Sequence, residues 1–237
     1  MLRWLFPETC QLCGAEGRGS TLCPDCRAAL ARVPRPICLR CGAPVYGTAA
    51  LADVCDACRD HDPDYAFARA ALNYSEEAMS LIHDLKYHGQ NHLARALAPL
   101  LAELWEQHPP LRQQRDWVLI PVPVTRKRLH ERGYNQAEEL ARALGRLLHL
   151  PLVQPLERRD TGIASQTRLN AARRERNARA AYRPLAAYAS GKRCLPAHLL
   201  LIDDITTTGA TARACCRALH RLRPDALIGS LALMRMN

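Results

Sequence analysis

The chain has 237 residues, of which 48% are apolar, and a formal net charge of +10 at pH 7. With a mean hydropathy of -0.23, this composition excludes an intrinsically disordered chain and is typical of a globular protein with one medium domain and a small module. No apolar run approaches the roughly 20 residues that span a bilayer, and the run at 1–7 is too short for a signal peptide, so we expect a cytoplasmic protein without a membrane span.

The positive charge lies outside the N-terminal region. Residues 1–62 contain seven arginines and seven acidic residues, so the whole excess falls in the remainder. A basic domain implies an anionic partner, and a phosphorylated small molecule or a nucleic acid would satisfy that requirement equally. Charge alone therefore does not choose between these partners.

Cysteine spacing predicts two metal sites near the N-terminus. Eight of the eleven cysteines form four C-x-x-C pairs, and two such pairs supply the four thiolates of a tetrahedral zinc ion. Sequential pairing closes the shortest loops, although interleaved pairing stays open. The sequential ligand sets are Cys10, Cys13, Cys23 and Cys26 for one Zn²⁺ and Cys38, Cys41, Cys55 and Cys58 for the other. We expect these two structural ions in a double zinc-ribbon module at 1–62, which should fold only with metal, before a main domain at 63–237.

Predicted strands and helices alternate in the main domain. Apolar runs predict strands at 67–74, 117–120, 199–202 and 225–234, with shorter extended pieces at 152–155 and 182–185. Helical periodicity predicts helices at 76–87, 91–107 and 210–222, and another that ends at 148. This alternation predicts an α/β domain with a largely parallel sheet.

The residues after the strand at 199–202 carry the strongest functional signal. Asp203 and Asp204 are expected at its carboxyl end, where carboxylates can accept hydrogen bonds from sugar hydroxyls or hold a hydrated Mg²⁺. The loop that follows leads into a helix N-terminus, whose free N–H groups bind phosphate, and Gly209 allows close approach. This loop and first helical turn, called here the 206–211 loop, comprises Thr206, Thr207, Thr208, Gly209, Ala210 and Thr211.

The strand, acidic pair and Thr/Gly loop resemble the 5-phosphoribosyl 1-diphosphate (PRPP) motif of the type I phosphoribosyltransferases. The resemblance implies that Asp203 and Asp204 hold the ribose hydroxyls, that the 206–211 loop holds the 5′-phosphate, and that PRPP binds with Mg²⁺. Thr206 departs from the motif, which commonly has an apolar residue at that position.

Two basic segments are further candidates for an anion site. One is a loop at 125–136, between the strand at 117–120 and a helix, and the other is a polar stretch at 158–177. A strand end with clustered Arg and Lys beside a helix N-terminus favours anion binding. A long basic loop in a compact domain is more often functional than idle.

The whole chain resembles the ComF/GntX family of bacterial competence proteins. The likeness combines the C-x-x-C pairs, Pro-Val-Pro-Val at 121–124, Arg-Gly-Tyr-Asn-Gln at 132–136, the polar stretch up to 177 and the Asp203-Asp204 loop, in that order. It implies a type I phosphoribosyltransferase-like domain behind a zinc ribbon, with a role in DNA uptake during natural transformation or in using DNA as a nutrient. The residues that it places near the pyrophosphate or a bound strand are Arg128, Arg132, Arg159, Gln166, Arg174 and Asn177.

Two functions from different classes follow. The first is a phosphoribosyltransferase, in which a nitrogen nucleophile displaces pyrophosphate from PRPP, although the sequence shows no evident general base. The second is a module that binds PRPP or single-stranded DNA while the ribbons dock a partner such as a DNA-uptake helicase. Residues 126–183 contain fourteen basic and six acidic residues, but Tyr134 and Tyr182 are the only Phe, Tyr or Trp residues there, which weakens the case for base stacking.

Overall fold

The computed structural model describes residues 9–16, 22–47, 53–61, 63–87, 92–114, 116–160 and 181–236. Three of the predicted site residues, Gln166, Arg174 and Asn177, lie outside these ranges. The described helices are α1 (Pro24–Ala29), α2 (Asp56–Asp60), α3 (Glu76–Tyr87), α4 (Leu93–Gln107), α5 (Pro109–Gln113), α6 (Arg126–Arg132), α7 (Gln136–Leu148), α8 (Ala186–Ala189) and α9 (Ala210–His220). The strands are β1 (Phe67–Asn73), β2 (Trp117–Pro121), β3 (Leu156–Arg158), β4 (Tyr182–Pro184), β5 (His198–Thr206) and β6 (Leu227–Arg235).

The main sheet has four strands in the order β1-β6-β5-β2, and every neighbouring pair is parallel. Strands β3 and β4 form a separate antiparallel pair. Parallel strands need crossover connections, and the helices between them supply these. The α/β class with a mainly parallel sheet, preceded by a cysteine-rich module, is confirmed and is consistent with a phosphoribosyltransferase-like fold.

Each face of the main sheet packs against different helices. One face carries Leu200 and Ile202 of β5 against α3, α4 and α7, and the other carries Leu199 and Leu201 against α9. The helices that follow the neighbouring strands β2 and β5 lie on opposite faces, so the carboxyl ends of these two strands form a topological switch point of the sheet. In open α/β sheets, ligands bind at such a point.

Strand β5 is longer than predicted. Its pairing with β2 ends at Pro121 and Ile202, but its pairing with β6 continues as far as Thr206 and Arg235. The two acids therefore lie within the strand and do not mark its end. The pattern of apolar residues could not show this, because the hydrogen bonds of β6 extend the strand through polar residues.

Two shorter segments also differ from their predictions. The basic loop at 125–136 contains α6, whose N-cap Thr125 accepts a hydrogen bond from the N–H of Arg128 at 3.3 Å. The extended piece at 152–155 is not a regular strand. Its Leu152 forms one isolated bridge to Leu119, and regular pairing begins at β3.

Candidate functional site

Each zinc ribbon brings four cysteine sulfur atoms to one point. In ribbon 1 (Cys10, Cys13, Cys23, Cys26) and in ribbon 2 (Cys38, Cys41, Cys55, Cys58), the four Sγ atoms lie within 4.8 Å of one another. Two Sγ–Sγ distances, one in each ribbon, are 3.8 Å. A tetrahedral zinc ion with Zn–S bonds of about 2.3 Å has sulfur ligands about 3.8 Å apart, so both sites suit a structural zinc ion. The groups are the sequential ones and not the interleaved ones.

Backbone N–H groups converge on one sulfur atom in each ribbon. The N–H of Cys23 lies 3.4 Å from Cys10 Sγ, and those of Cys55 and Cys41 lie 3.4 Å and 3.5 Å from Cys38 Sγ. Burial raises the pKa of both thiols, but donation from the backbone outweighs it and lowers the pKa to about 6 for Cys10 and about 7 for Cys38. These thiols ionise readily, and the thiolate is the form that binds zinc.

Ribbon 1 packs on helices α3 and α4. Cys10 is buried in the core cluster of that face of the sheet. Gln11 Nε2 donates a hydrogen bond to Asp84 Oδ2 of α3 at 3.2 Å, and Arg27 forms an ion pair with Glu103 of α4. A backbone contact also reaches β1, where the N–H of Asn73 donates to the carbonyl oxygen of Ala31 at 2.8 Å.

Ribbon 2 packs on the edge strand β1. The N–H of Ala68 donates to the carbonyl oxygen of Arg40 at 2.6 Å, and Arg69 Nη2 donates to the carbonyl oxygen of Leu39 at 2.9 Å. Arg69 is itself buried. Backbone groups of the first cysteine turn of ribbon 2 are thus bonded directly to the main sheet.

A cavity of about 650 Å³ lies between the segment that joins the ribbons and the β1 edge. Its lining is mostly apolar and includes Phe67 and Leu104, with Arg35 and Arg69 among its polar residues. Neither predicted acid lines it. The predicted ligand site is therefore separate from this cavity and lies at the carboxyl edge of the sheet.

Asp203 and Asp204 are neighbours in β5 but differ in exposure. Asp204 is only 4% exposed, whereas Asp203 is half-buried. The two adjacent acids therefore have different surroundings and different access to a ligand.

Asp204 is held by cationic and amide groups of two helices. Lys86 of α3 forms an ion pair with Asp204 Oδ2, and Gln136 Nε2 of α7 lies 3.4 Å from Asp204 Oδ1. Burial alone would raise the pKa of Asp204, but the Lys86 ammonium lowers it below its ordinary value. Asp204 is thus an anion whose charge is already compensated.

Arg132 belongs to the same network. Its Nη1 donates to Gln136 Oε1 at 3.1 Å, and its Nη2 donates to the hydroxyl of Tyr87 at 3.0 Å. Its guanidinium also lies 4.7 Å from the centre of the Tyr87 ring. In this structure Arg132 joins the end of α3 to the start of α7 and so supports the residues that hold Asp204.

Asp203 has no comparable cationic partner among the contacts described. Its Oδ1 accepts a hydrogen bond from the N–H of Asp204 at 2.9 Å. Burial raises the pKa of Asp203 well above its ordinary value, and the charge of Asp204 raises it further. A hydroxyl donor or a cation bound here would favour the ionised form.

The 206–211 loop combines an exposed turn with a closely packed glycine. Thr207 and Thr208 are exposed, whereas Thr206, Ala210 and Thr211 are half-buried. Gly209 is the N-cap of α9 with φ +73°, and a Cβ at this position would lie 2.9 Å from the Tyr65 hydroxyl. Glycine is therefore required both by the left-handed backbone conformation and by the close approach of Tyr65.

Two arginines hold the carbonyl oxygens of this loop. Arg235 Nη1 donates to the carbonyl oxygen of Thr207 at 3.2 Å, and Arg213 Nη1 donates to that of Thr208 at 2.7 Å. The second amino group of Arg235 donates to the carbonyl oxygen of Cys41 in ribbon 2. Arg235 therefore contacts the loop and the ribbon at the same time.

The other described members of the predicted anion site are exposed. Arg128 lies on α6, and Arg159 follows β3. A parallel bridge between Thr125 and Arg158 sets these two basic segments side by side. The two segments, which are separate in the sequence, thus form one basic surface beyond the end of β2.

Sequence reasoning missed the residues that act through long-range contacts. In the sequence, Lys86 looks like an ordinary basic residue in the last turn of a helix, and Arg235 like the polar end of a strand. Arg235 and its contact Cys41 are 194 positions apart in the sequence, so no local pattern pairs them. Gln136 lies within a segment that the sequence does single out, but its bond to Asp204 depends on how α7 packs.

Comparison with known proteins shows the relationships of the chain. Residues 1–59 match the double zinc ribbon domain. The DNA utilization protein YhgH of Escherichia coli O6:H1 is 30% identical over 219 residues, which cover 91% of this chain and 92% of that protein. The chain belongs to the ComF/GntX family.

Other members of the ComF/GntX family match over similar lengths. Competence protein ComFC of Bacillus subtilis is 27% identical over 217 residues, or 90% of this chain and 84% of the relative. Competence protein F of Haemophilus influenzae is 29% identical over 203 residues, or 85% of each chain. The likeness extends through both the ribbons and the sheet domain.

None of the helices in the described ranges combines the length and the apolar character of a membrane-spanning helix.

Proposed function

We propose that this chain serves DNA uptake or the use of DNA as a nutrient, and that its acids and 206–211 loop form a PRPP-binding site. The names of relatives that match over 84% to 92% of their own lengths support the first part. One arrangement supports the second: the half-buried Asp203 comes just before an exposed Thr207-Thr208 turn at the N-terminus of α9.

In this proposal the N-terminus of α9 holds the 5′-phosphate. The first N–H groups of a helix have no partner within it and lie at the positive end of the helix dipole. The hydroxyls of Thr207 and Thr208 add donors on the exposed side. Arg213 and Arg235 bind the carbonyl oxygens of the turn and add positive charge, so the local field favours a phosphate dianion.

The two acids have different roles in the proposed site. Asp203 accepts a hydrogen bond from a ribose hydroxyl or binds the Mg²⁺ that accompanies PRPP. Asp204 is ion-paired with Lys86 and fixes the end of β5. Arg128 and Arg159, together with the predicted Gln166, Arg174 and Asn177, would neutralise the pyrophosphate.

Calorimetric titration of the zinc-loaded chain with Mg²⁺-PRPP tests the site. We expect measurable binding to the wild type and affinity at least about tenfold lower in Asp203→Asn, because a hydrogen bond to a charged group contributes about 1.5–3 kcal/mol. Asp116→Asn is the matched control, since this exposed acid lies just before β2, at the amino edge of the sheet. No heat with the wild type, or equal affinity in Asp203→Asn, would reject the PRPP site.

The dependence of affinity on pH provides a second test. The pKa of Asp203 is raised in the free protein, and the proposed ligand requires the ionised carboxylate. Affinity for Mg²⁺-PRPP should therefore rise as the pH rises through the pKa of Asp203, with release of a proton on binding. Titrations in buffers of different ionisation enthalpy measure that proton, and Asp203→Asn should release none from this group.

Single-stranded DNA is the second candidate ligand, because Arg128 and Arg159 are exposed on adjoining segments. A short oligo(dT) should displace PRPP if the strand uses the same surface. Its affinity should fall steeply with salt, since several phosphate contacts release counterions. An affinity that does not change with salt would dismiss DNA binding and leave the PRPP proposal to its own test.

A further inference from the structure

Arg235 connects ribbon 2 to the 206–211 loop through one buried side chain. One amino group of its guanidinium donates to the carbonyl oxygen of Cys41, and the other donates to that of Thr207 at 3.2 Å. The residue is 7% exposed. A buried, charge-assisted donor that holds two carbonyl groups fixes the distance between them. One of these groups belongs to a zinc ligand and the other to the loop.

A backbone contact reinforces this connection. The N–H of Met236, the residue after Arg235, donates to the carbonyl oxygen of Thr206 at 2.9 Å. The end of β6 is thus bonded to two successive residues of the loop, at Thr206 and Thr207. A shift in Arg235 would move the loop with it.

Ribbon 2 is itself held in place beside the sheet. The carbonyl oxygen of Arg40 accepts from the N–H of Ala68 at 2.6 Å, and a Cβ at Gly42 would lie only 2.4 Å from the carbonyl oxygen of Ala68. The cysteine turn that contains Cys41 therefore lies directly against β1. Its conformation is the part of ribbon 2 that zinc defines, because Cys38 and Cys41 are both ligands.

We propose that the zinc site of ribbon 2 positions the 206–211 loop, with Arg235 as the positioning residue that transmits its state. With zinc bound, the Cys41 carbonyl is fixed and Arg235 holds Thr207 in place. Without zinc, the cysteine turn loses its conformation, Arg235 loses one partner, and the loop opens more often. The inference about coupling stands on these contacts, and only the identity of the ligand at the loop rests on the proposed function.

Ribbon 1 provides the natural contrast. Its described polar contacts are with Asp84 of α3, with Glu103 of α4 and, through the carbonyl oxygen of Ala31, with the N–H of Asn73 at the end of β1, but not with the loop. Loss of zinc from ribbon 1 should therefore disturb the outer surfaces of these helices and leave the loop as it is.

Hydrogen–deuterium exchange on the full zinc-loaded chain tests the coupling without any ligand. We compare Cys58→Ser, which removes a ligand of ribbon 2, with the matched Cys26→Ser in ribbon 1, and confirm by metal analysis that each variant retains one zinc ion. Exchange of the peptide that covers 206–211 should rise about tenfold or more in Cys58→Ser, as expected for the loss of a charge-assisted hydrogen bond. It should be unchanged in Cys26→Ser.

Arg235→Met tests the positioning residue itself. This variant should keep zinc in both ribbons and still speed exchange in the 206–211 loop, while Arg235→Lys, which can reach only one of the two carbonyl groups, should be intermediate. If Arg235→Met does not fold, a chelator can be used to remove zinc from ribbon 2 of the Cys26→Ser variant. Exchange in the 206–211 loop should then rise although Arg235 is unchanged.

Two outcomes would overturn the inference. One is loop exchange that is unchanged in Cys58→Ser, and the other is an equal increase in Cys26→Ser, which would indicate general loosening. Failure of PRPP to bind the wild type would reject the proposed ligand but would not alter these exchange rates, so the two proposals fail separately. If PRPP does bind, its affinity should fall in Cys58→Ser and stay unchanged in Cys26→Ser.

Discussion

Ribbon 1 and ribbon 2 share their metal chemistry and differ in what they contact. Both have four cysteine sulfur atoms within 4.8 Å of one another and a glycine at positive φ after the first C-x-x-C pair. Ribbon 1 rests on helices α3 and α4 and touches the end of β1 through Ala31, whereas ribbon 2 is bonded to the start of β1 and, through Arg235, to the 206–211 loop. The same zinc site can therefore brace a surface in one position and shape a ligand loop in another.

Removing both zinc ions should have the largest effect. Structural zinc contributes roughly 10–16 kcal/mol of apparent binding free energy in small zinc modules, and the described part of each ribbon has few buried side chains of its own. A strong chelator should release two zinc ions per chain and abolish amide protection in both ribbons. Metal analysis with hydrogen exchange measures both, and protected ribbons without metal would contradict the prediction.

Replacing the glycine of each cysteine turn with alanine should destabilise ribbon 2 more than ribbon 1. Gly14 has φ +70°, and a Cβ added to it would have no atom of the described residues within 4 Å. A Cβ on Gly42, at φ +68°, would instead meet the Ala68 carbonyl oxygen at 2.4 Å. Gly14→Ala should cost about 1–2 kcal/mol from the left-handed backbone conformation. Gly42→Ala should cost about 1–3 kcal/mol more, because the added methyl group clashes with rigid backbone.

Urea unfolding of the zinc-loaded variants measures this difference. Gly42→Ala should also raise exchange in the 206–211 loop, whereas Gly14→Ala should not. Equal stabilities for the two variants would mean that ribbon 2 can move away from β1 at no cost, which would remove the basis of the contrast.

Acid should release zinc from ribbon 2 before ribbon 1. The pKa is lowered to about 7 at Cys38 and to about 6 at Cys10, and zinc requires the thiolate. As the pH falls, protons therefore compete at Cys38 first.

The Cys26→Ser and Cys58→Ser variants, each with one intact ribbon, allow this comparison. Zinc release from each, followed with a colorimetric chelator between pH 8 and pH 5 (roughly the range that spans both thiols), should occur at lower pH for the chain that keeps ribbon 1. The reverse order would contradict the assigned thiol environments.

The ion pairs of ribbon 1 should have the smallest effect. Arg27 and Arg32 both pair with Glu103, but the side chains are 34% to 42% exposed, so solvent and salt screen them. Glu103→Gln should lower the free energy of unfolding by less than about 1 kcal/mol and leave loop exchange unchanged. Glu106→Gln is the control on the same helix, because its partner Arg112 lies outside the ribbon. A large loss in Glu103→Gln would show that ribbon 1 is held mainly by charge.

Local patterns predicted a large part of this fold. Four C-x-x-C pairs indicated the ribbons, and apolar runs indicated all four strands of the main sheet, because buried parallel strands are apolar on both faces. Predictions failed where contacts with a neighbouring element decided the secondary structure against the local amino-acid composition. Strand β5 continues through two acids because β6 continues beside it, and α6 forms within a segment that looked like a basic loop.

The sequence likewise predicted only part of the candidate ligand site. The sequence indicated Asp203, Asp204 and the 206–211 loop as a group, but it did not distinguish the two acids. In the structure Asp204 is buried against Lys86, whereas Asp203 is half-buried and has no such ion pair among the contacts described. Their role in binding PRPP stays a prediction, as do the contributions of Gln166, Arg174 and Asn177.

The sequence by itself determined the features that depend on neighbouring residues: zinc ligands in pairs, apolar strands, and a glycine where the chain must turn. Only the tertiary structure decided which partner each charged side chain would meet. Lys86 with Asp204, and Arg235 with both Cys41 and Thr207, join segments that are distant in sequence. The physical reason is that burial makes such charges depend on partners, and packing of whole strands and helices selects those partners.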